Sequence, residues 1–371
     1  MNLSYWEIKQ WLDNVDFTIV GSGIVGLNCA LSLRKKYPKS KILILEKGIL
    51  PQGASTKNAG FACFGSISEL LHDLKTHSEE VVFNLVKNRW EGLLRLREIL
   101  GDKALDYKPY GGYEVFLEED SALYEECKEE REYLNQFLKP LFKKEVFSIT
   151  ENKFGFKRVN QNYILNNFEG QLDTGKMMEA LLKKCIVENI RILNATNVLS
   201  FEEMSSGVLI KTTHFEMESR KLFIATNGFT STLFNADVKP ARAQVLITKP
   251  IKNLHIKGTF HLDKGYYYFR NIDNRILFGG GRNLDKEGET TTSFGETEHI
   301  QKTLKALLSS VILPNTPFEI EHKWSGIMGV SDIKKPIVDV VSNHVFCGVR
   351  LGGMGVAIGS LIGQELASLA D

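Results

Sequence analysis

The first strong pattern along the chain is a short apolar run, followed by a glycine-rich turn and then by apolar positions at helical spacing. Residues 17–20 form the run, residues 21–26 form the turn, and Val25, Cys29 and Leu33 recur at the interval of a helix. This pattern predicts a strand, a tight turn and a helix, in that order.

A second apolar run, residues 41–45, ends at Glu46 and is typical of a parallel strand that is buried on both faces. Helical periodicity predicts further helices over about 70–100, over 118–138, from Asp173 or Thr174 to about 182, and around Ile300, Leu304, Leu307, Leu308 and Val311. Runs rich in β-branched residues predict strands at 111–117, 190–193, 208–212 and 222–226, and residues 241–281 alternate like an antiparallel sheet. This order of elements predicts a mixed fold of the α/β (α+β) class.

The composition is that of a globular protein of about two domains. The chain has 371 residues, of which 43% are hydrophobic and 25% are charged, and its net charge is +1. A charge so close to zero gives no electrostatic attraction to nucleic acid, and the glycine-broken stretch 351–361 is too short to span a bilayer. We therefore expect no nucleic-acid partner and no membrane span.

The cysteines and histidines argue against metal and disulfide chemistry. The five cysteines are odd in number and never spaced as CxxC, namely Cys29, Cys63, Cys127, Cys185 and Cys347. The eight histidines show no spacing typical of metal ligands, so we expect no metal. The polar, acidic N-terminal stretch differs from a signal peptide, and we expect a cytoplasmic protein.

Three glycines in the first turn have the spacing of a dinucleotide-binding fingerprint. Gly21 permits the tight turn, Gly23 lets the backbone approach a pyrophosphate, and Gly26 allows the helix to pack closely on its strand. Glu46 stands 20 positions beyond Gly26 at a strand end, where its carboxylate can accept hydrogen bonds from ribose hydroxyl groups. The spacing alone is a weak signal, but with the strand before it and the helix after it we expect a dinucleotide here, either NAD or FAD.

Three further segments occur in the order in which a known family has them. Residues 53–61 (Gly-Ala-Ser-Thr-Lys-Asn-Ala-Gly-Phe) follow the second strand, residues 225–228 (Ala-Thr-Asn-Gly) follow a later strand, and residues 348–355 (Gly-Val-Arg-Leu-Gly-Gly-Met-Gly) lie near the C-terminus. Together with the first turn they resemble the D-amino acid oxidase superfamily over nearly the whole chain. The resemblance is greatest to the branch that contains glycine oxidase, sarcosine oxidase and γ-glutamylputrescine oxidase, which are FAD enzymes that oxidise a carbon–nitrogen bond.

The resemblance implies FAD as the cofactor and an architecture of two domains. One is a Rossmann-like FAD-binding domain of the glutathione-reductase type, which we expect over residues 1–75, 160–238 and 325–371. The other is a substrate domain with an antiparallel sheet, which we expect over residues 76–159 and 239–324.

By motif position, the resemblance also implies which residues hold FAD. The expected contacts with the cofactor are Gly21, Gly23, Ile24, Val25, Gly26, Glu46, Lys47, Ser55, Thr56, Asn58, Ala59, Gly60, Phe61, Val198, Ala225, Thr226, Gly228, Gly352, Gly353, Met354 and Gly355. The last four would precede a C-terminal helix whose positive end faces the flavin. Asn58 stands where some relatives attach FAD to a histidine, and residues 327–328 stand where others use a cysteine, so we expect non-covalent FAD.

On the substrate side, the resemblance implies an active-site tyrosine within residues 266–268. Alternation along a strand puts Tyr266 and Tyr268 on one face, and we expect Tyr266 at the site with Tyr268 behind it. The alternative is that all three tyrosines only pack in the core.

The positively charged residue that we expect near the substrate differs from the one in relatives that act on α-amino acids. Those relatives hold the carboxylate with an arginine in the segment that matches residues 325–330, and here that position is Met328. An amine or an N-substituted substrate therefore fits better than glycine or a D-amino acid. Arg350 is the expected cation near the flavin, and Arg270 and Arg282 are further candidates.

In this family, a hydride passes to the flavin from the carbon that bears the neutral amine, and the imine is then hydrolysed. We therefore expect oxidation of an amine or amino acid, with O2 or another electron acceptor. Leu277 stands where sarcosine-type oxidases have a lysine that activates oxygen. A dehydrogenase that uses another electron acceptor is therefore an alternative to an oxidase. Two other hypotheses are a flavin module that acts on a modified RNA nucleotide and a flavin-binding protein without catalytic activity.

Overall fold

The computed structural model describes residues 2–371, which form nine α-helices and eighteen strands joined by loops and short 3₁₀ and π-helical turns. The helices are α1 (Tyr5–Glu7), α2 (Ile24–Lys36), α3 (Ile67–Thr76), α4 (Glu79–Leu100), α5 (Asp102–Leu105), α6 (Ser121–Phe142), α7 (Thr174–Val187), α8 (Glu298–Leu307) and α9 (Gly355–Ser368). The strands are β1 (Val15–Val20), β2 (Ile42–Leu45), β3 (Phe61–Ala62), β4 (Gly112–Glu114), β5 (Phe147–Glu151), β6 (Asn162–Asn166), β7 (Gly170–Gln171), β8 (Arg191–Leu193), β9 (Val198–Met204), β10 (Gly207–Thr212), β11 (Glu216–Ile224), β12 (Lys239–Thr248), β13 (Thr259–Leu262), β14 (Tyr267–Ile272), β15 (Arg275–Gly280), β16 (Ile320–Val330), β17 (Ile337–Ser342) and β18 (Val345–Val349).

The first sheet is built around β1 and is parallel at its centre. Its strand order is β17-β18-β11-β1-β2-β8, and β10 and β9 continue antiparallel from the first half of β11. Val20 at the end of β1 pairs in register with Ile224 on one side and Leu45 on the other. Both β1 and β2 are almost completely buried, which confirms the parallel strands predicted from the two apolar runs.

Helices α2 and α9 pack on this sheet and α4 packs on α9, and glycines let the three helices approach one another closely. A Cβ atom on Gly363 of α9 would lie 2.6 Å from the carbonyl oxygen of Val25 in α2. A Cβ atom on Gly92 of α4 would lie 2.3 Å from the carbonyl oxygen of Ala357 in α9. These distances are too short for any residue with a side chain, so the glycines determine how close α2, α4 and α9 are.

The second sheet has the order β16-β12-β15-β14-β13-β4-β6-β5 and is antiparallel except between β13 and β4. Its core is aromatic, with the rings of Phe260 and Phe269 stacked at a centroid distance of 4.5 Å. Ile300 and Leu304 of α8 pack against this core. The antiparallel sheet predicted for residues 241–281 is confirmed, as is the mixed fold class.

Several predicted elements differ in detail from the structure. The helix expected over 70–100 is two helices, because Ser78 leaves the helical conformation and its Oγ accepts a hydrogen bond from the backbone nitrogen of Val81, which starts α4. The strand expected at 111–117 is only three residues long. Strands β5, β6, β16, β17 and β18 were not predicted.

The pairing of two strands differs from the expected domain boundaries. β6 lies within the range 160–238 that was expected to bind FAD, yet it pairs with β4 and β5 in the second sheet. β16 extends across position 325 and pairs with β12 along its length. We therefore propose that the two domains change over after Asn166 and after Val330.

The five cysteines are buried and none forms a disulfide. Burial raises the pKa of each thiol, that of Cys185 to about 12 and that of Cys347 to about 11. Within residues 2–371, no three His, Cys, Asp or Glu side chains are arranged to hold a metal ion. In the same part of the chain, no helix has both the length and the apolar composition that crossing a membrane requires.

Candidate active site

A cavity of about 1110 Å³ opens between the two sheets. One end is formed by the turn after β1 and the segment between β2 and β3, and the other by residues of β13, β14 and the loop after β15. Most of the expected site residues line it, namely Gly21, Gly23, Ile24, Val25, Glu46, Lys47, Ser55, Asn58, Ala59, Gly60, Phe61, Val198, Ala225, Thr226, Gly352, Gly353, Met354, Gly355, Tyr266 and Tyr268.

The glycines of the first turn leave no space for side chains. Gly21 has a φ of +103°, and a Cβ atom there would lie 2.9 Å from the carbonyl oxygen of Ala225. A Cβ atom on Gly26 would lie 2.0 Å from the carbonyl oxygen of Gly21 and 3.2 Å from Ile19 in β1. The tight turn and the close packing of α2 on β1 therefore both depend on glycine.

The N-terminus of α2 opens into the cavity beside a serine hydroxyl group. The backbone nitrogen of Ile24 donates a hydrogen bond to Ser55 Oγ at 2.9 Å, and a Cβ atom on Gly23 would lie 2.9 Å from the same oxygen. The free backbone N–H groups and the positive end of the helix favour an anion here. This end of the cavity is suited to a phosphate group.

Glu46 lines the same end and is buried. Its carboxylate accepts hydrogen bonds from the backbone nitrogen and the hydroxyl of Ser22, at 2.9 and 2.7 Å, and from the backbone nitrogen of Gly48 at 3.0 Å. These bonds fix the carboxylate at the end of β2, between the glycine turn and Lys47.

Residues 58–61 form the middle of the cavity wall and are held by side chains behind them. Asn58 Oδ1 accepts a hydrogen bond from the backbone nitrogen of Gly60 at 2.8 Å. Arg270 Nη1 donates to the carbonyl oxygens of Gly60, at 3.0 Å, and Leu172, at 2.6 Å. Burial lowers the pKa of Arg270 to about 10. This arginine supports the wall and does not line the cavity.

The turn before α9 forms the opposite wall. Gly352 and Gly353 have φ values of +57° and +83°, and the Sδ atom of Met328 would lie 3.3 Å from a Cβ atom on Gly353. Met328 therefore packs beside the turn from which α9 begins. The N-terminus of α9 lines the cavity, and the positive end of a helix favours negative charge near it.

The cavity suits an elongated cofactor that has phosphate groups in the middle of the molecule. It provides glycines that a Cβ atom would obstruct, free backbone N–H groups at the start of α2, and a fixed carboxylate at the end of β2. These are the features that a dinucleotide requires of its site. Its volume of about 1110 Å³ lies just above the range of about 300–1,000 Å³ that is typical of pockets for small molecules.

The three consecutive tyrosines at the start of β14, of which Tyr266 precedes the strand, are divided between the cavity and the core. Tyr266 and Tyr268 line the cavity, whereas Tyr267 packs in the core of the second sheet. The ring of Tyr268 meets that of Phe61 edge to face at 5.7 Å, and burial raises the pKa of Tyr268 to about 12. Its phenol is therefore a neutral hydrogen-bond donor at physiological pH.

His261 is a cavity residue that was not expected from the sequence. It lies on β13 beside Phe61, with ring centroids 5.3 Å apart, and its Nε2 is 3.0 Å from Glu169 Oε2. Burial lowers the pKa of His261, but the neighbouring carboxylates, of which Glu169 is the strongest, raise it more, so that the pKa lies above its ordinary value. In the sequence, His261 is a single histidine in an apolar strand, and no motif around it indicated a site residue.

A second unexpected group lies beside it. Glu69 Oε1 is 3.6 Å from Arg89 Nη1 and 3.3 Å from Lys334 Nζ, and all three residues line the cavity. Arg89 also donates to the carbonyl oxygen of Phe64 at 2.8 Å. Lys334 Nζ also lies 2.6 Å from Asp73 Oδ1, so that two carboxylates balance the two cations of this group within the protein.

Four expected site residues do not line the cavity. Gly26 lies behind the turn, and the hydroxyl of Thr56 donates to the carbonyl oxygen of Pro51 at 2.7 Å. Gly228 packs against β16, where its Cβ atom would lie 2.5 Å from the carbonyl oxygen of Met328. Arg350 has a φ of +64° and its guanidinium is directed away from the cavity, where it binds Asp237 at 2.7 Å and the carbonyl oxygen of Lys335 at 2.9 Å.

Comparison with known proteins agrees with this geometry. The profile of the family described as FAD dependent oxidoreductase (DAO) matches residues 16–369. A γ-glutamylputrescine oxidoreductase of Escherichia coli is 19% identical, over 95% of this chain and 83% of the relative. The structure of an L-proline dehydrogenase from P. horikoshii has a TM-score of 0.75 at 17% identity, over 96% of this chain and 93% of that one. The structure of a glycine oxidase from Geobacillus kaustophilus has a TM-score of 0.74 at 18% identity, over 96% and 94%.

Proposed function

The chain belongs to the DAO family of FAD-dependent oxidoreductases, and from this premise we propose that it oxidises the carbon–nitrogen bond of an amine or an amino acid. One observation carries the proposal: a single cavity joins a phosphate-binding turn at one end to Tyr268 and Tyr266 at the other. The names of the similar proteins support it, since they refer to γ-glutamylputrescine, L-proline and glycine.

We assign the binding of FAD to the residues that line the cavity from the glycine turn to α9. The N-terminus of α2 and Ser55 would hold the pyrophosphate, and Glu46 would hold the ribose. Residues 58–61 and 352–355 would flank the ring system, and the start of α9 would favour negative charge on it. Asn58 and residues 327–328 offer neither histidine nor cysteine for a covalent bond, so acid should release the flavin from the protein.

The bound FAD supplies a two-electron acceptor, and the chain supplies orientation and exclusion of water. In the proposed reaction, the carbon next to nitrogen loses a hydride, the nitrogen loses a proton, and a C=N bond forms. Water then adds to that carbon and the C–N bond breaks, which gives a carbonyl compound and an amine or ammonia. We propose that the Tyr268 phenol donates a hydrogen bond to the substrate, because its pKa of about 12 keeps it protonated.

The two faces of β14 provide a matched test of Tyr268. Flavin-loaded protein is mixed anaerobically with sarcosine, L-proline, putrescine, 4-aminobutyrate, glycine and D-alanine, and the loss of flavin absorbance is timed. With the best substrate, Tyr268→Phe should be slower by about tenfold, as expected for one lost hydrogen bond, whereas Tyr267→Phe should react at the wild-type rate. Equal rates for both variants would contradict the role of Tyr268.

The same panel tests the role of Met328. Because no arginine occupies that position, glycine and D-alanine should reduce the flavin more slowly than an amine or an N-substituted amino acid does. Faster reduction by glycine or D-alanine would contradict this reasoning.

A dehydrogenase that passes its electrons to an acceptor other than oxygen is the second candidate. Leu277 is buried in an apolar cluster with Ala59 and Val245, so this position supplies no positive charge to an oxygen molecule. Reoxidation of the reduced protein by air and by a quinone, compared at equal concentration, separates the two candidates. A dehydrogenase reacts faster with the quinone.

A further inference from the structure

Three cationic side chains line the end of the cavity that contains Tyr266. Lys264 lies in the turn between β13 and β14, and Arg282 and Lys286 lie in the loop after β15. The two segments touch, because the backbone nitrogen of Gly281 donates to the carbonyl oxygen of Tyr266 at 3.0 Å. Lys286 Nζ lies 5.7 Å from the centre of the Tyr266 ring. Lys286 therefore lies beside the exposed Tyr266 ring, and Lys264 and Arg282 line the same cavity from the two segments that meet there.

The acidic residues of these segments do not line the cavity. Asp263 accepts a hydrogen bond from Asn283 Nδ2 at 3.2 Å, and Asp285 accepts one from the backbone nitrogen of Gly288 at 2.9 Å. Within residues 2–371, no carboxylate oxygen comes within 4.0 Å of the three cations. The positive charge therefore faces the cavity without a partner from the chain.

Arg282 stands out among the arginines of the second sheet. Arg242 on β12 and Arg275 on β15 are each bound to a glutamate, Glu289 and Glu321, through two guanidinium nitrogens. The Nε atom of Arg282, in contrast, is buried and has no hydrogen-bond partner. Leaving a buried N–H group unpaired costs about 1–3 kcal/mol, so the guanidinium gains from an acceptor brought by a ligand.

The cavity lining as a whole also has more positive than negative side chains. The lining has eight lysines and arginines and three carboxylates. Two of these carboxylates are already bound within the protein, Glu46 to Ser22 and Glu69 to Arg89 and Lys334. The pyrophosphate of FAD would balance cations at the glycine end, which leaves those around Tyr266 for the substrate.

We infer that the substrate carries a carboxylate remote from the reacting nitrogen, and that Arg282 binds it with Lys264 and Lys286 beside it. The inference rests on the proposed function for the identity of the reacting bond. A guanidinium presents two parallel N–H groups that match the two oxygens of a carboxylate, whereas the lysines act as point charges. Recognition thus comes from the loop after β15, since β16 has Met328 where relatives have an arginine.

Binding of glutarate to the FAD-loaded protein, measured by calorimetry at low salt, tests this inference. Glutarate has two carboxylates and no carbon–nitrogen bond, so its binding does not depend on any oxidation. Wild-type protein should bind glutarate at least tenfold more tightly than the neutral glutaramide, and more weakly at high salt. Equal binding of the two probes, or tighter binding of inorganic phosphate than of glutarate, would overturn the assignment.

Variants locate the site. Arg282→Gln should weaken glutarate binding at least tenfold, and Lys264→Gln and Lys286→Gln severalfold each. Arg282→Lys keeps the charge and should lose only part of the affinity, which provides a second test if the glutamine variant does not fold. Lys252→Gln removes a charge outside the cavity lining and should bind like wild type. Wild-type affinity in both Arg282 variants would overturn the inference.

The experiment also separates the inference from the proposed function. If glutarate binds through Arg282 but no amine bleaches the flavin, the anion site stands and the proposed reaction falls. If amines bleach the flavin at equal rates in wild type and Arg282→Gln and glutarate does not bind, the reaction stands and the inference falls.

Discussion

Gly26 determines how closely α2 approaches the turn that we propose to hold the pyrophosphate. A methyl group in Gly26→Ala would lie 2.0 Å from the carbonyl oxygen of Gly21, so the helix must move away. We expect a loss of about 1–3 kcal/mol in the free energy of unfolding and protein that is purified without flavin. Flavin content after gel filtration measures the loss of the cofactor, and urea denaturation measures the loss of stability.

The control for this change is Gly175→Ala at the start of α7. Its added methyl group would meet only the side chain of Asp173, at 3.2 Å, and Gly175 lies outside the cavity lining. This variant should keep flavin and stability. Wild-type flavin content in Gly26→Ala would show that the glycine spacing is not needed for the cofactor.

The pair of His261 and Glu169 gives a prediction about pH. Because the pKa of His261 is raised in the folded state, its stabilising contribution is complete below the ordinary histidine pKa of about 6.5. It is lost as the pH rises through the raised pKa. Glu169→Gln should therefore lower the free energy of unfolding most at about pH 6, by about 3 kcal/mol, and less at about pH 9.

A solvent-accessible pair of the same type is the control. His344 Nδ1 lies 3.1 Å from Glu203 Oε1, and both side chains are partly exposed. Glu203→Gln should cost less than about 1 kcal/mol at either pH. Urea denaturation of wild type and both variants at the two pH values measures this, and a larger loss for Glu169→Gln at pH 9 than at pH 6 would oppose the prediction.

Single residues differ in how far the sequence could predict them. The positions of Gly21, Gly23 and Glu46 followed from spacing, because a turn between a strand and a helix fixes where the backbone goes. Arg350 was expected near the flavin because it lies beside a motif, but a position in the sequence does not give the direction of a side chain. In the folded chain Arg350 has a positive φ and its guanidinium binds Asp237, and neither feature can be read from the sequence.

At the scale of elements, α9 links helix packing to the cofactor site. Its first turn lines the cavity, and its later part packs on α2 through Gly363. Gly363→Ala would put a methyl group 2.6 Å from the carbonyl oxygen of Val25, so α9 must shift and carry residues 352–355 with it. We expect FAD to bind several times more weakly, as measured by flavin fluorescence titration.

The neighbouring exposed residue of α9 provides a control. Gln364→Ala changes the solvent face of the same helix and should bind FAD like wild type. If Gly363→Ala also binds FAD with wild-type affinity, helix packing does not position the turn.

Elements were predictable where the pattern is local. The periodicity of α2, α7 and α8 and the apolar runs of β1 and β2 are signals within one segment. β16 shows no regular alternation of buried and exposed residues, and β5 is only five residues long. Both are strands because they pair with β6 and β12, of which β6 was itself unpredicted and β12 lies far from β16 in sequence. The break at Ser78 was missed because both α3 and α4 have the composition of helices.

At the scale of the whole molecule, both sheets contribute walls to one cavity. A ligand that binds only the folded protein stabilises it by about 2.7 kcal/mol at a concentration 100 times its Kd. Excess FAD should therefore raise the resistance of both sheets to urea, and hydrogen exchange should slow in β1 and in β14. Protection of β1 alone would show that the second sheet does not contribute to the site.

The most direct test of the account is a single anaerobic turnover in which flavin bleaching and carbonyl product are measured together. Flavin-loaded protein is mixed with an amine or N-substituted amino acid from the panel, and the carbonyl product is trapped with a hydrazine. One carbonyl is expected for each flavin bleached, because one hydride leaves carbon and one imine is hydrolysed. Flavin that no member of the panel bleaches, or bleaching without carbonyl product, would contradict it.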